Sequence, residues 1–372
     1  MSAVWGVAKL FHKRTIEVWE WNQSDILKKR LPNDPDWSSL ATQHAAMSFT
    51  PLELAHAVVK ADFLNPSNLI LPGIGFLLQA SQIVDFNQVD FRLADGGATA
   101  LNDFSATSLC GRLAQGFALL YADQKGYSFV GPLKAHLVAC GVLSPGAKGV
   151  KAADFLFEDA NKNRIIVESK GSFADAENDP TTVKSKLKRA LKKQVTPWIN
   201  KLTPPASKGF VFLSHMRETR HKEKSAFIFV DPPADQIIDP VDVPEDWLKR
   251  HNYAAWLTIM GLPGPAQRLR AKDESRLNKI TMPIFKVGRW KIAATLPCCH
   301  WWGRTGFGVG MEAGALEKVS HARAGRVKNL IDYRGLEEVD DRGRFRGSLM
   351  HDGSYLGPLR RRDLIGVRTF IL

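Results

Sequence analysis

The chain has 372 residues, 44% of them apolar, and carries 51 Lys and Arg against 38 Asp and Glu, a formal net charge of +13. Such a length and apolar content exclude a minimal or disordered domain and suit one large domain with additions, or two to three domains, while the charge favours a polyanionic partner such as nucleic acid. Four cysteines, Cys110, Cys140, Cys298 and Cys299, form no CxxC pair and exclude a disulfide framework, which fits a reducing cytoplasm.

The first residues run apolar and then basic (AVWGVAKLF, then HKR), the reverse of a secretory signal. NLILPGIGFLLQA is broken by Pro and Gly and is too short to span a bilayer, so the expectation is an intracellular protein with no membrane partner. Residues 1–105 mix short apolar stretches with helical ones such as PLELAHAVVKADFL and carry no chemical motif. Order sets in near residue 106. ATSLCGRLAQGFALLYADQKG spaces Leu109, Leu113, Phe117, Leu120 and Tyr121 as on one helix face and stops at Gly126. YSFVGPLKAHLVA reads as a strand, ADFLFED and RIIVESKG as two more. TTVKSKLKRALKKQVTPWINKL is a basic helix with Val183, Leu187, Ala190, Leu191, Gln194, Val195 and Trp198 in one stripe. GFVFLSHM and AFIFVDPP supply further strands, so the order is helix, strands, helix, strand around a mixed sheet, an α/β class. Beyond residue 240, PEDWLKRHNYAAWLTIMG is helical, and FKVGRWKIAAT and IGVRTFIL are strand-like pieces of a β-rich remainder, either separate or packed on the core.

The chemistry concentrates in one hairpin. ANKN between ADFLFED and RIIVESKG is a polar turn, and a turn centred on Asn161 sets Asp154 opposite Glu168. Cross-strand neighbours lie about 5 Å apart, so the two carboxylates meet, and like charges that close need a shared proton or a cation. Hard oxygen ligands suit Mg²⁺, which takes one or two carboxylates and keeps several waters. Glu168 and Lys170, two residues apart, share one strand face, where the ammonium can orient a water or stabilise charge on a phosphate, as phosphodiester hydrolysis requires.

AADFLF, a turn, then RIIVESKGS resembles the motif of the PD-(D/E)XK nuclease superfamily, with Ala153 where the family name has Pro; the resemblance covers roughly residues 106–231. It implies a restriction-endonuclease-like core over residues 106–240, between an N-terminal region, 1–105, and an accessory region, 241–372, helical and then β-rich. It makes Asp154 and Glu168 metal ligands, the backbone carbonyl of Ser169 a third, and Lys170 the catalytic lysine. Mg²⁺ is the implied cofactor, with Mn²⁺ able to substitute. DNA is favoured over RNA as substrate, and the implied biology is defence against foreign DNA, with protein partners of a defence complex. The first helix of such folds often offers a Glu to the metal, and here the candidate is Gln115, a neutral amide. Gln194, three residues before Trp198, loosely resembles the Gln-xxx-Tyr feature of RecB-like nucleases.

Other readings stay open at this point. The run Lys184, Lys186, Lys188, Arg189, Lys192 and Lys193 is either the solvated face of a helix or a phosphate-binding surface. Gln194 is a stripe residue packed on the sheet or a site residue. Cys298, Cys299 and His300 make a poor chelate, and Trp301 and Trp302 read as core. GFGVGMEAG reads as a turn, while DRGRFRGSL and Arg360, Arg361 and Arg362 read as surface or backbone contacts. The alternative to a nuclease is a catalytically inactive nucleic-acid-binding or scaffold subunit, for which the neutral Gln115 speaks.

Overall fold

The computed structural model of the protein describes residues 9–27, 37–64, 76, 80–174, 180–202, 206, 208–231, 246–273, 275–295, 305–326 and 347–372. The opening stretch before Lys9, NLILPGIGFLLQA apart from Phe76 and Ala80, the DPP turn after Asp231, Cys298, Cys299, His300, Trp301, Trp302 and residues 341–346 of DRGRFRGSL lie outside the described residues.

RTIEVWEW alternates buried and half-buried side chains and forms β1 (Arg14–Trp21), which pairs antiparallel with β2 (Ala41–Phe49). Thr50 then caps α1 (Pro51–Phe63), exchanging bonds with Glu53 in a capping box. Asn102 accepts a bond from the Ser105 amide to start α2 (Asp103–Gln124). This helix stops where the sequence puts Gly126, whose φ of +89° is costly for any residue with a Cβ. YSFVGPLKAHLVA splits into β3 (Phe129–Pro132) and α3 (Leu133–Ala139), contrary to one strand, because Leu133, His136 and Leu137 share a buried helical face.

β4 (Phe155–Glu158), β5 (Arg164–Phe173), α4 (Pro180–Ala190), β6 (Lys208–Met216) and β7 (Ala226–Val230) follow. The first sheet is seven-stranded and mixed, in the order β2-β1-β7-β6-β5-β4-β3, with helices packed on it. β5 and β6 are parallel neighbours joined through α4, a crossover connection. β1 lies parallel to β7, so residues before 106 complete this sheet.

α5 (Trp247–Ile259) and α6 (Pro263–Ala271) lead into a six-stranded antiparallel sheet built from β8 (Lys279–Val287), β9 (Trp290–Thr295), β10 (Thr305–Glu312), β11 (Ser348–Leu349), β12 (Ser354–Arg360) and β13 (Leu364–Ile371). α7 (Ala313–Arg323) follows β10. GFGVGMEAG is therefore strand β10 running into a helix, not a turn. Its glycines serve close packing: a Cβ on Gly310 would lie 2.7 Å from the Ala293 carbonyl oxygen, and one on Gly308 would collide with Leu359.

The second sheet packs on the first layer through one continuous apolar core that takes in Met282, Ile284, Val309, Met311 and Leu356. A buried polar seam closes the same junction. His56 of α1 meets the Ser348 and Ser354 hydroxyls at 2.8 and 3.1 Å, while Lys60 and Asn252 each donate to Asp352 at 2.7 Å. No helix among the described residues is long and apolar enough to cross a membrane.

Candidate functional site: a carboxylate pair on the β4–β5 hairpin

The hairpin register follows from its turn. Asp159 accepts bonds from the Asn161 and Asn163 amides at 2.8 Å each, and Lys162 takes the left-handed conformation with φ +66°. Pairing then runs Glu158↔Arg164 to Phe155↔Val167, symmetric about Asn161. Near the turn, Arg164 and Glu158 form a buried ion pair at 2.8 Å.

At the other end β4 stops at Phe155, whereas β5 continues to Phe173. Asp154 stands where the partner strand runs out, its own carbonyl accepting a bond from the Leu133 amide at 3.3 Å. Its carboxylate takes the place of the missing strand: Oδ2 accepts from the Ser169 amide at 3.0 Å and the Ser169 hydroxyl at 2.9 Å. The Asp154 amide in turn donates to Glu168 Oε2 at 3.1 Å. Asp154 and Glu168 are thus immediate neighbours. Ser169 contributes its amide and hydroxyl to Asp154, and its carbonyl, on the same edge of the strand as its amide, points to the side where β4 is absent.

Glu168 is fully buried, and its other oxygen, Oε1, is held by two donors. One is the Lys170 ammonium, on the same face of β5 and still 36% exposed to solvent. The other is the Gln194 side-chain amide, at 2.6 Å. Burial, and secondly the neighbouring Asp154 charge, push the Glu168 carboxyl up from 4.5 to about 7, with Lys170 acting in the opposite sense. Burial also raises Asp154, against the bonds from Ser169.

Gln194 reaches Glu168 because the helix changes pitch. After α4 the chain makes one π-helical turn, Leu191–Val195, marked by the Thr196 amide donating to the Leu191 carbonyl at 3.0 Å, five residues back. Val195 and Trp198 stay buried in the stripe while Gln194 faces the carboxylate. Gln194 is thus a half-buried residue of the stripe that also bonds to Glu168.

Gln115 is not brought to this set. α2 covers the face of the sheet that carries Gly171 and Phe212: a Cβ on Gly171 would lie 2.5 Å from the Cys110 carbonyl oxygen, and Tyr121 packs on Phe212. Glu168 and Lys170 lie on the opposite face with Gly209, whose Cβ would meet Val195 at 2.6 Å. Among the described residues no hydrogen bond joins Gln115 to either carboxylate.

The basic run also divides. Arg189, Lys192 and Lys193 are exposed, as a solvated helix face requires, and Lys188 is half-buried. Lys184 is buried, on a helix against which the short helix Gln23–Leu27 also packs. Lys186 is half-buried and donates to the Ser172 hydroxyl at 2.6 Å. Ser172 was not visible as a site residue in the sequence; its place two residues after Lys170, on the same strand face, was the available signal.

Comparison with family models, with curated proteins and with solved structures finds no match. The site is therefore read from its own chemistry. Among the described residues no group of three or more His, Cys, Asp or Glu gathers to hold a metal. The donor set is a pair of adjacent carboxylates, one of them buried and pushed up from the ordinary carboxylate range by that burial. This fits a hard divalent cation that keeps most of its water, such as Mg²⁺ or Mn²⁺, with Asp154 and Glu168 to hold it.

Proposed function

We propose that this chain is a Mg²⁺-dependent nuclease that hydrolyses phosphodiester bonds of DNA at the β4–β5 hairpin. One observation carries the reading: a fully buried Glu168 is set against Asp154 and shares an oxygen with the partly exposed Lys170. Burying a carboxylate beside another costs stability unless a proton or a cation offsets it. A divalent cation relieves that cost and, when bound, polarises a phosphate oxygen and makes bound water more acidic. Asp154 and Glu168 would hold it, with the Ser169 carbonyl on the same edge.

The remaining residues have definite tasks. Ser169 fixes the Asp154 carboxylate through two hydrogen bonds. Gln194 fixes Glu168 through one, and the bond counts for more at a buried carboxylate. Lys170 now pairs with Glu168 and is partly open to solvent; with a cation held by the carboxylates, its ammonium would be free to face the phosphate and the attacking water. The exposed Arg189, Lys192 and Lys193 offer charge for a nucleic-acid backbone. The element order α2–β3–α3–β4–β5–α4–β6, with α3 inserted between the first two strands, is compatible with the likeness to PD-(D/E)XK nucleases, and the preference for DNA and a role in defence rest on that likeness.

The test is cleavage of DNA and RNA in Mg²⁺, Mn²⁺ or EDTA by the full chain and by Asp154→Ala and Lys170→Ala. Both variants should lose at least about a hundredfold in rate, as for loss of a group that acts on the transition state, while binding DNA in EDTA like the wild type. Equal activity in all three proteins overturns the assignment. An inactive binding subunit, the competing reading, binds DNA and cleaves nothing with either cation.

A further inference from the structure

Glu168, Lys170 and Ser172 stand in one row, because alternate residues of a strand share a face. All three polar groups are met from α4 or the π-helical turn that follows it, or from within the row: Gln194 and Lys170 on Glu168, Lys186 on Ser172. The sequence reading places Lys186 among six equivalent basic residues. In the structure its ammonium reaches the strand that carries Glu168 and Lys170.

The Lys186–Ser172 contact is left with donors to spare. An ammonium has three N–H groups, and the Ser172 hydroxyl takes one of them at 2.6 Å. By accepting that bond the hydroxyl keeps its own proton for another acceptor. Two kinds of donor, one charged and one neutral, therefore sit side by side and suit an oxyanion with several acceptor oxygens. Ser172 is held nearly buried in the strand and Lys186 is half-buried, so the pair is ordered in advance. A step of two residues along a strand is about 6.6 Å. That is close to the separation of successive phosphates on one nucleic-acid strand.

We propose that Lys186 and Ser172 form a phosphate subsite, which holds the backbone phosphate next to the one attacked at the carboxylate pair. This rests on the nuclease reading for what the neighbouring phosphate undergoes, but not for its own affinity. The subsite sets the register of the strand: with one phosphate on Lys186 and Ser172, the next lies beside Lys170 and the carboxylates. It takes a nucleic-acid backbone and reads no base.

Binding of a thymidine hexanucleotide in EDTA tests the subsite apart from catalysis. Lys186→Gln should weaken binding about tenfold, the size of one lost charge-assisted hydrogen bond, and Ser172→Ala about threefold. The double variant should lose no more than Lys186→Gln alone, since the two act as one unit. Lys186→Arg should restore most of the affinity, and Lys291→Gln, the same charge change in the second sheet, should alter it by less than about twofold. A hexanucleotide carrying one methylphosphonate beside the mapped cleavage position should bind wild type about tenfold more weakly and Lys186→Gln no more weakly than the native strand does. Thermal melting of each variant checks that it is folded. Lys186→Gln that binds like Lys291→Gln overturns the subsite even if the wild type cleaves DNA. Loss of binding in Lys186→Gln, with no cleavage by the wild type in either cation, keeps the subsite and overturns the nuclease. Wild-type protein that binds no oligonucleotide overturns both.

Discussion

Replacing Glu168 by Gln should remove a pH-dependent loss of stability from the metal-free protein, so that the variant gains on the wild type as pH rises. The folded state binds a proton on Glu168 up to about 7, against an ordinary value of 4.5. Between those two values the folded protein holds a proton that the unfolded chain has released. Wild-type stability therefore falls as pH rises through that window. The fall amounts to about 3 kcal/mol once pH exceeds 7, at 1.36 kcal/mol per pH unit of separation. A neutral amide in place of the carboxyl has no proton to lose in this range. The substitution also disturbs the bonds from Gln194, Lys170 and the Asp154 amide; what Lys170 and the Asp154 amide give to the charged form is already contained in the Glu168 shift, so that shift sets the pH-dependent part of the difference. The stability difference, variant minus wild type, should thus grow by about 3 kcal/mol from pH 4.5 to pH 8. Urea unfolding in EDTA at a series of pH values measures it. Mg²⁺ at a hundred times its dissociation constant should then return about 2.7 kcal/mol to the wild type at pH 8 and much less to the variant. A difference that stays flat across the whole range would show that Glu168 is an ordinary carboxylate, and the paired-carboxylate site would fall with it.

Gln194→Ala removes the amide that holds Glu168 Oε1 and should weaken Mg²⁺ affinity about tenfold, measured by calorimetry, with the fold intact; unchanged affinity would make the amide a bystander. Lys60→Met strips the buried Asp352 of its cation partner. Burial raises that carboxyl, yet Lys60, Ser354 and Asn252 hold it at about 2, so the substitution should cost roughly 3–5 kcal/mol in urea unfolding at pH 7. A loss below about 1 kcal/mol, the size of an exposed pair, would mean that this junction is wet rather than closed.

The chemistry of the hairpin was legible in the sequence because every step of it is local. A polar turn at ANKN fixes the register, the strand period puts Glu168 and Lys170 on one face, and the symmetry about Asn161 brings Asp154 alongside. The stop of α2 at Gly126 is equally local, a single residue with φ above zero. What the sequence left open depends on which surfaces meet across long separations. Gln115 and Gln194 are both half-buried helix glutamines, and only the packing of α2 and α4 on opposite faces of the sheet gives Glu168 to Gln194. The π-helical turn that aims Gln194 breaks the 3.6-residue period on which a pattern argument relies. Lys184 reads like its neighbours in the run, yet it is buried. GFGVGMEAG looks like a turn until its glycines are seen to let Leu359 and Ala293 close in from neighbouring strands. The joining of β1 to β7, and of Lys60 to a carboxylate 292 residues away, has no local signature at all, since it exists only once distant parts of the chain are packed together.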